Sequence, residues 1–252
     1  MNILISNDDG IDSPGIFALA TELKKIANVT VVAPESQQSA MGHALTINKP
    51  LRLHRFDRAG ELFGYAVDGT PADCVKIALS HVLDVRPDLV VTGINHGRNT
   101  AVNILYSGTV SGATEGMLTG IPSIAVSHDS HSYDRDMTTA AKYARIIAAK
   151  LHASGLGKGR LLNVNVPDLP ESHIKGIRTV RQGGSIWEDS FEKRVDPFGH
   201  DYYWFSGRYS HIDEDPYSDD QALKDGYVTI TPLRFELTDT ELMDNIQSFM
   251  DF

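Results

Sequence analysis

Residues 1–35, MNILISNDDGIDSPGIFALATELKKIANVTVVAPE, decide the fold. Ile3-Leu4-Ile5 is a short apolar run, and Val29 to Ala33 is a second, β-branched one. Between them Ile16, Leu19, Ala20, Leu23 and Ile26 recur at helical spacing. Asp12 or Ser13 stands where a cap belongs, with Pro14 at the first helical position. The unit reads strand, helix, strand. Neither apolar run alternates with polar residues, which suits parallel strands covered on both faces.

The same reading extends outward. Similar runs stand at Leu89 to Ile94 (LVVTGI), Ser123 to Ser127 (SIAVS) and Leu161 to Val166 (LLNVNV). Helical patterns fall at about 72–83, 109–118 and 137–152. This order predicts an open α/β sheet, doubly wound. After about residue 180 the character changes. Trp187, Phe191, Phe198, Tyr202, Tyr203, Trp204, Phe205 and Tyr209 crowd a polar stretch carrying the turn signal DPFG, which reads as a projecting β-hairpin. The run at 202–205 fits packing in the hairpin or a subunit interface better than a base-stacking platform. Leu242, Met243, Ile246, Phe249 and Met250 then share one helical face, too apolar to be left in water. The expected organisation is one domain over 1–252, with a core of about 1–180 and 227–233, an accessory hairpin region of about 181–226 and a C-terminal arm of about 238–252.

Composition narrows the class. Among 252 residues, 41% are hydrophobic and 22% charged, which excludes wholesale disorder. A chain this long buries enough surface to need no disulfide. Cys74 is the only cysteine, which fits a reducing, cytoplasmic compartment and excludes thiolate zinc or iron–sulfur sites. Lys plus Arg number 23 against 33 Asp plus Glu, a formal charge of −10 that argues against long nucleic acid as a partner. A small phosphorylated ligand stays open if a cation screens it. No apolar run approaches the ~18 residues of a membrane span, and Asp8 and Asp9 break up the N-terminus as a signal peptide.

The chain lacks a Walker loop, a G-x-G-x-x-G after the first strand, a G-x-S-x-G elbow and an H-E-x-x-H helix. In a doubly wound sheet, ligands bind beyond the carboxyl ends of the strands. Polar groups stand at nearly every such end: Asp8 and Asp9, Glu35 to Ser39, Asn95, then His128 and Asp129. Asp8-Asp9-Gly10 reads either as a solvated turn or as a cation site. Two carboxylates about 4 Å apart repel by about 4 kcal/mol at an effective dielectric of 20, and a divalent ion reverses that sign. Asn95-His96-Gly97-Arg98-Asn99 offers hard amide oxygen, or is an asparagine-rich turn. Ser107-Gly108-Thr109 precedes a helix, so its N–H groups and hydroxyls either hold a phosphate or simply cap. His43, His96 and His128 match no zinc spacing and read as loop or supporting residues.

Four stretches then point one way: ILISNDDGIDSPGI (3–16), APESQQSAMGHALT (33–46), VDGTPADCV (67–75) and GINHGRNTAVNILYSGTVSGATEG (93–116). In this order they closely resemble the SurE survival-protein nucleotidases. The resemblance implies a Rossmann-like, metal-dependent phosphatase acting on nucleoside 5′-monophosphates, with 3′-monophosphates and short polyphosphate as further substrates. It places one divalent ion per subunit, Mg or Mn, on Asp8, Asp9, Ser39 and Asn95, and phosphate on Asn99, Ser107, Gly108 and Thr109. It also implies a homodimer or homotetramer assembled through the hairpin and an exchanged C-terminal arm.

The implied chemistry is in-line attack on phosphorus, with Asp8 or Asp9 taking a proton from water or acting as nucleophile. Direct water attack is preferred. A haloacid-dehalogenase-type phosphatase needs D-x-D, whereas these aspartates are adjacent. A sugar deacetylase of the H-P-D-D kind wants histidine before the pair, where this chain has Ser6-Asn7. The rival from another class is a nucleotide-binding regulator without turnover.

Overall fold

The computed structural model describes residues 1–156 and 159–250. It opens with β1 (Asn2–Ser6), α1 (Pro14–Leu23) and β2 (Asn28–Pro34). Ser13 occupies the N-cap of α1 in extended conformation, yet its hydroxyl accepts from Asn7 Nδ2 (2.8 Å) and caps nothing. The helix ends at Leu23, and Ile26 reaches the core from the turn that follows. Next come β3 (Leu53–Arg58) and β4 (Glu61–Val67), an antiparallel pair that no apolar run announces, because β3 is exposed at all but one position. The helix expected over 72–83 is α2 (Pro71–Ile77), opened by a Thr70–Asp73 capping box and running into a π-turn over Ala78–Val82.

β5 (Leu89–His96), α3 (Asn103–Tyr106), α4 (Gly108–Leu118), β6 (Ser123–His128), α5 (Thr138–Ser154) and β7 (Leu161–Val166) complete the α/β alternation. Beyond it lie β8 (Ile177–Thr179), β9 (Ile186–Val195), β10 (Asp201–Ser210), α6 (Asp219–Lys224), β11 (Val228–Leu233) and α7 (Thr240–Met250). The main sheet has nine strands in the order β3-β4-β2-β1-β5-β6-β7-β11-β8. Strands β4 to β7 along that order are parallel, whereas β3 runs against β4, and β11 runs against β7 but parallel to β8. β9 and β10 form a separate antiparallel hairpin, as the aromatic-rich stretch predicts.

Alternation along β1 builds both layers. Ile3 and Ile5 join Ile16, Leu19 and Ala144 under α1 and α5, while Leu4 between them joins Cys74, Val75 and Ala78 under α2. Each such fully buried Ile or Leu contributes about 1.5–3 kcal/mol. Val110, Ala113 and Met117 of α4 pack on Ala125 and Leu161 beside α2. β1 lies between β2 and β5, so successive connections leave it towards opposite edges of the sheet. Their loops part there and open a crevice at the carboxyl ends of β1 and β5. On α7 the five apolar residues of the expected arm are all at least 40% exposed, and residues 251 and 252 lie outside the described residues. Among the described residues, no helix is long and apolar enough to cross a membrane.

Candidate active site

Asp8 and Asp9 stand on the turn that leaves β1. Asn7 Nδ2 pins that turn to Gly10 O (2.8 Å), and Gly10 adopts φ +96°, a conformation other residues resist. The loop after β2 is tied to it, since Gln38 N donates to Asp8 O (2.7 Å), and this brings Ser39 alongside. The Asp8 side chain lies against the start of α4. Thr109 donates to Asp8 Oδ1 through its hydroxyl, and a Cβ on Gly108 would stand 2.7 Å from Asp8 Cβ. Burial raises the Asp8 carboxyl to about 6; the Thr109 hydroxyl opposes that shift and the charge on Asp9 adds to it.

Asp9 is held by the end of β5. His96 donates its backbone N–H to Asp9 Oδ2 (3.1 Å), and His96 Nδ1 meets the same oxygen at 3.0 Å. The imidazole stacks on Tyr133 with ring centroids 4.4 Å apart, and Gln37 Nε2 bridges Tyr133 OH (2.6 Å) and Ser39 Oγ (2.8 Å). The β5–β6 register slips between Thr92 and Asn95, a bulge of the kind that re-aims a side chain beside a site. Asn95 Nδ2 donates to Gly97 O (2.7 Å), which leaves its carbonyl oxygen for a ligand.

Asn99 is fixed from the middle of the sheet. Its N–H donates to Asn165 Oδ1 (2.8 Å), its Nδ2 to Ser127 Oγ (2.9 Å), and its carbonyl accepts from Asn163 Nδ2 (2.7 Å). Two residues on, Ala101 is at φ +47° and donates its N–H to Asp219 Oδ2 (3.0 Å) of α6. Thr100 donates to Asp220 beside it. Asp8, Ser39, Asn95, Asn99 and Ser107 line one cavity of about 470 Å³; Asp9, Gly108 and Thr109 are not among its lining residues, and each is the chain neighbour or hydrogen-bond partner of one that is. Ser107 does cap α4, accepting from Val110 N (3.1 Å). Of the three histidines only His96 belongs to this cavity; His43 pairs with Glu115 (2.7 Å), and burial lowers the pKa of His128.

The donor set suits a hard divalent cation. Asp8 and Asp9 put two almost fully buried carboxylates side by side, and no lysine or arginine forms an ion pair with either among the described residues. The free amide oxygen of Asn95 and the hydroxyl of Ser39 add neutral oxygen ligands, a chemistry for magnesium or manganese rather than zinc. Among the described residues, no group of three or more His, Cys, Asp or Glu competes as a metal site.

The family model described as "Survival protein SurE" matches residues 3–189, covering the main sheet apart from β11, this crevice and the start of the hairpin. The chain belongs to the SurE family. It is 46% identical over 248 residues to "5′-nucleotidase SurE" of Chlorobium chlorochromatii, covering 98% of this chain and 91% of that protein. It is 45% identical over 248 residues to the protein of the same name from Thermosipho africanus, at 98% and 96% coverage. The crystal structure of SurE protein from Aquifex aeolicus superposes with a TM-score of 0.86 at 40% identity, covering all of both chains.

Within this SurE chain the sequence motifs contain Asp8, Ser39, Asn95, Asn99 and Ser107 of the cavity lining, but not His131, Tyr133, Trp187 and Tyr209, which also line it, nor several of the residues that hold its loops. Asn163 and Asn165 left a legible signal, two asparagines alternating inside an apolar strand. Gln37 lay within a quoted motif, while Tyr133 sits in a loop with no pattern. Asp219 and Asp220, buried on the six-residue helix α6, carry no local signal, because their partners lie about 120 positions upstream.

Proposed function

We propose that this chain is a metal-dependent 5′-nucleotidase that hydrolyses nucleoside 5′-monophosphates to nucleoside and phosphate, with 3′-monophosphates and short polyphosphate as further substrates. One observation carries the reading: the carboxylate of Asp8, the open amide of Asn95, and the phosphate-side residues Asn99 and Ser107 line one cavity at the β1–β5 switch point. The relatives known as 5′-nucleotidase SurE agree with it.

In this reading Asp8, Asp9, Ser39 and Asn95 hold one divalent ion, Mg or Mn. When bound, that ion polarises a phosphoryl oxygen. Asn99, Ser107 and the Gly108 N–H at the first position of α4 orient the phosphate, where the positive helix end favours its charge. Thr109 acts by holding Asp8. Water attacks phosphorus in line, Asp8 takes its proton, the bond from phosphorus to the 5′ oxygen breaks, and that oxygen is protonated from solvent. His96 keeps Asp9 turned towards the pair. Lone, buried Cys74 fits a cytoplasmic setting, and the hairpin with α7 fits assembly as a homodimer or homotetramer.

Phosphate release from AMP with Mn²⁺ or Mg²⁺, compared with EDTA, tests the reading. Release that requires the metal is expected. Nucleotide binding without release under any divalent metal would instead make the chain a regulator.

A further inference from the structure

We propose that one face of the hairpin root is the subsite for the substrate's nucleobase, with Trp187 as its stacking platform; this rests on the nucleotidase reading above. In the β9–β10 register Trp187 faces Tyr209, Asp189 faces Gly207 and Phe191 faces Phe205, all on one face. Two aromatic pairs thus flank a pair in which Gly207 contributes no side chain. At a rise of about 3.4 Å per residue the two aromatic pairs, four residues apart, stand about 14 Å from each other, so a base on this face stacks on one of them, and Trp187 is the one that also lines the cavity holding Asp8. Both pairs are assembled, with ring centroids 5.4 Å apart for Trp187–Tyr209 and 5.2 Å for Phe191–Phe205.

Trp187 is exposed yet pinned. It remains 43% accessible, its indole N–H donates to Asn103 Oδ1 (2.7 Å), and its edge rests on Tyr209. Tyr209 is anchored in turn by its hydroxyl on buried Asp220. A ring whose polar atom is satisfied and whose rotamer is fixed before binding loses little freedom when a base stacks on it. Two residues along the same strand, Asp189 offers acceptors beside Trp187, suited to the N–H edge of a base.

Continuity selects the occupant. The slot is a cavity of about 700 Å³ that shares Ala40, Asn103, Tyr106 and Trp187 with the cavity holding Asp8, Asn95 and Ser107. The cleft is polar at the strand ends and aromatic at the hairpin, the order of phosphate and base along a nucleoside monophosphate. Stacking tolerates every base, so this end supplies affinity with weak sequence choice.

The test compares AMP with ribose 5-phosphate, which keeps the phosphate and sugar and lacks the base. W187A is expected to lower the ratio of kcat/KM for AMP to that for ribose 5-phosphate ten-fold or more, mainly through KM, with W187F restoring most of it. An unchanged ratio overturns the subsite. A second measurement needs neither turnover nor a perturbed slot. The chain has two tryptophans, so W204F leaves Trp187 as the only indole. Adenosine should then quench its fluorescence saturably, and no saturable quenching overturns the proposal. A chain that binds adenosine at Trp187 but releases no phosphate from AMP fails as a nucleotidase while keeping the subsite.

Discussion

The hydroxyl of Thr109, at the second residue of α4, donates to Oδ1 of Asp8, which lies 101 positions earlier on the turn after β1. A helix start and a strand end thereby share one acid. The positive end of α4 and the Thr109 hydroxyl favour the carboxylate, while burial and neighbouring Asp9 favour the neutral acid. Burial wins, and a buried acid left near 6 is well suited to exchange its proton for a cation.

Asp8→Asn should abolish most phosphate release from AMP while leaving the fold intact. In EDTA its melting temperature should equal or exceed that of the wild type, because the substitution removes a buried charge that burial and Asp9 already disfavour. Phosphate assay and thermal unfolding in EDTA check the two halves. Near-normal turnover would remove Asp8 from the chemistry.

Thr109→Ala frees the Asp8 carboxylate from its fixed rotamer. We expect kcat/KM to fall by about 1–3 kcal/mol in transition-state terms, with Thr109→Ser retaining most activity. Steady-state kinetics on AMP decide it. An alanine variant with wild-type kcat/KM would show that the hydroxyl does not orient the acid.

Asp219 supplies the pH test. Burial raises its carboxyl from 3.8 to about 6, despite N–H bonds from Ala101 and Gly183. A folded-state pKa above the unfolded one means that the folded chain binds the proton more tightly. The charged form therefore costs stability above pH 6, and the cost disappears as pH falls from about 6 to 3.8. Relative to Asp219→Asn, which does not titrate there, the wild type should gain about 1.4 kcal/mol per pH unit across that window. Urea titrations of both proteins at pH 4, 5, 6 and 7 read the difference. A gap independent of pH would contradict it.

Deleting residues 238–252 should lower the oligomeric mass or its melting temperature while sparing activity. The deleted segment carries the exposed face of Leu242, Met243, Ile246, Phe249 and Met250, and an isolated helix of eleven residues is marginal in water. Burying such side chains on a partner contributes about 1.5–3 kcal/mol for each large one fully covered. Light scattering and thermal unfolding measure it. An unchanged mass with an unchanged melting temperature would leave the arm without a role in assembly.

The strand–helix alternation and the positions at its carboxyl ends could be read from the chain alone. Runs such as Leu89 to Ile94 are buried on both faces, and that requirement is written in consecutive residues. Asp8, Asn95 and Ser107 were legible for the same reason: Asp8 stands on the turn just beyond the first apolar run, Asn95 directly follows LVVTGI and Ser107 opens a helix, so a local signal places each. What those residues touch follows only from packing. Only the folded sheet sets Asn163 and Asn165 beneath Asn99, or Asp219 against Ala101 at a distance of 118 residues in the chain. Folding alone aligned Trp187, Gly207 and Phe205 on one face, since a hairpin's register sorts side chains that an aromatic-rich stretch merely lists together. Backbone periodicity is local and survives in the sequence; hydrogen bonds between distant loops have no period, and only packing brings their partners together.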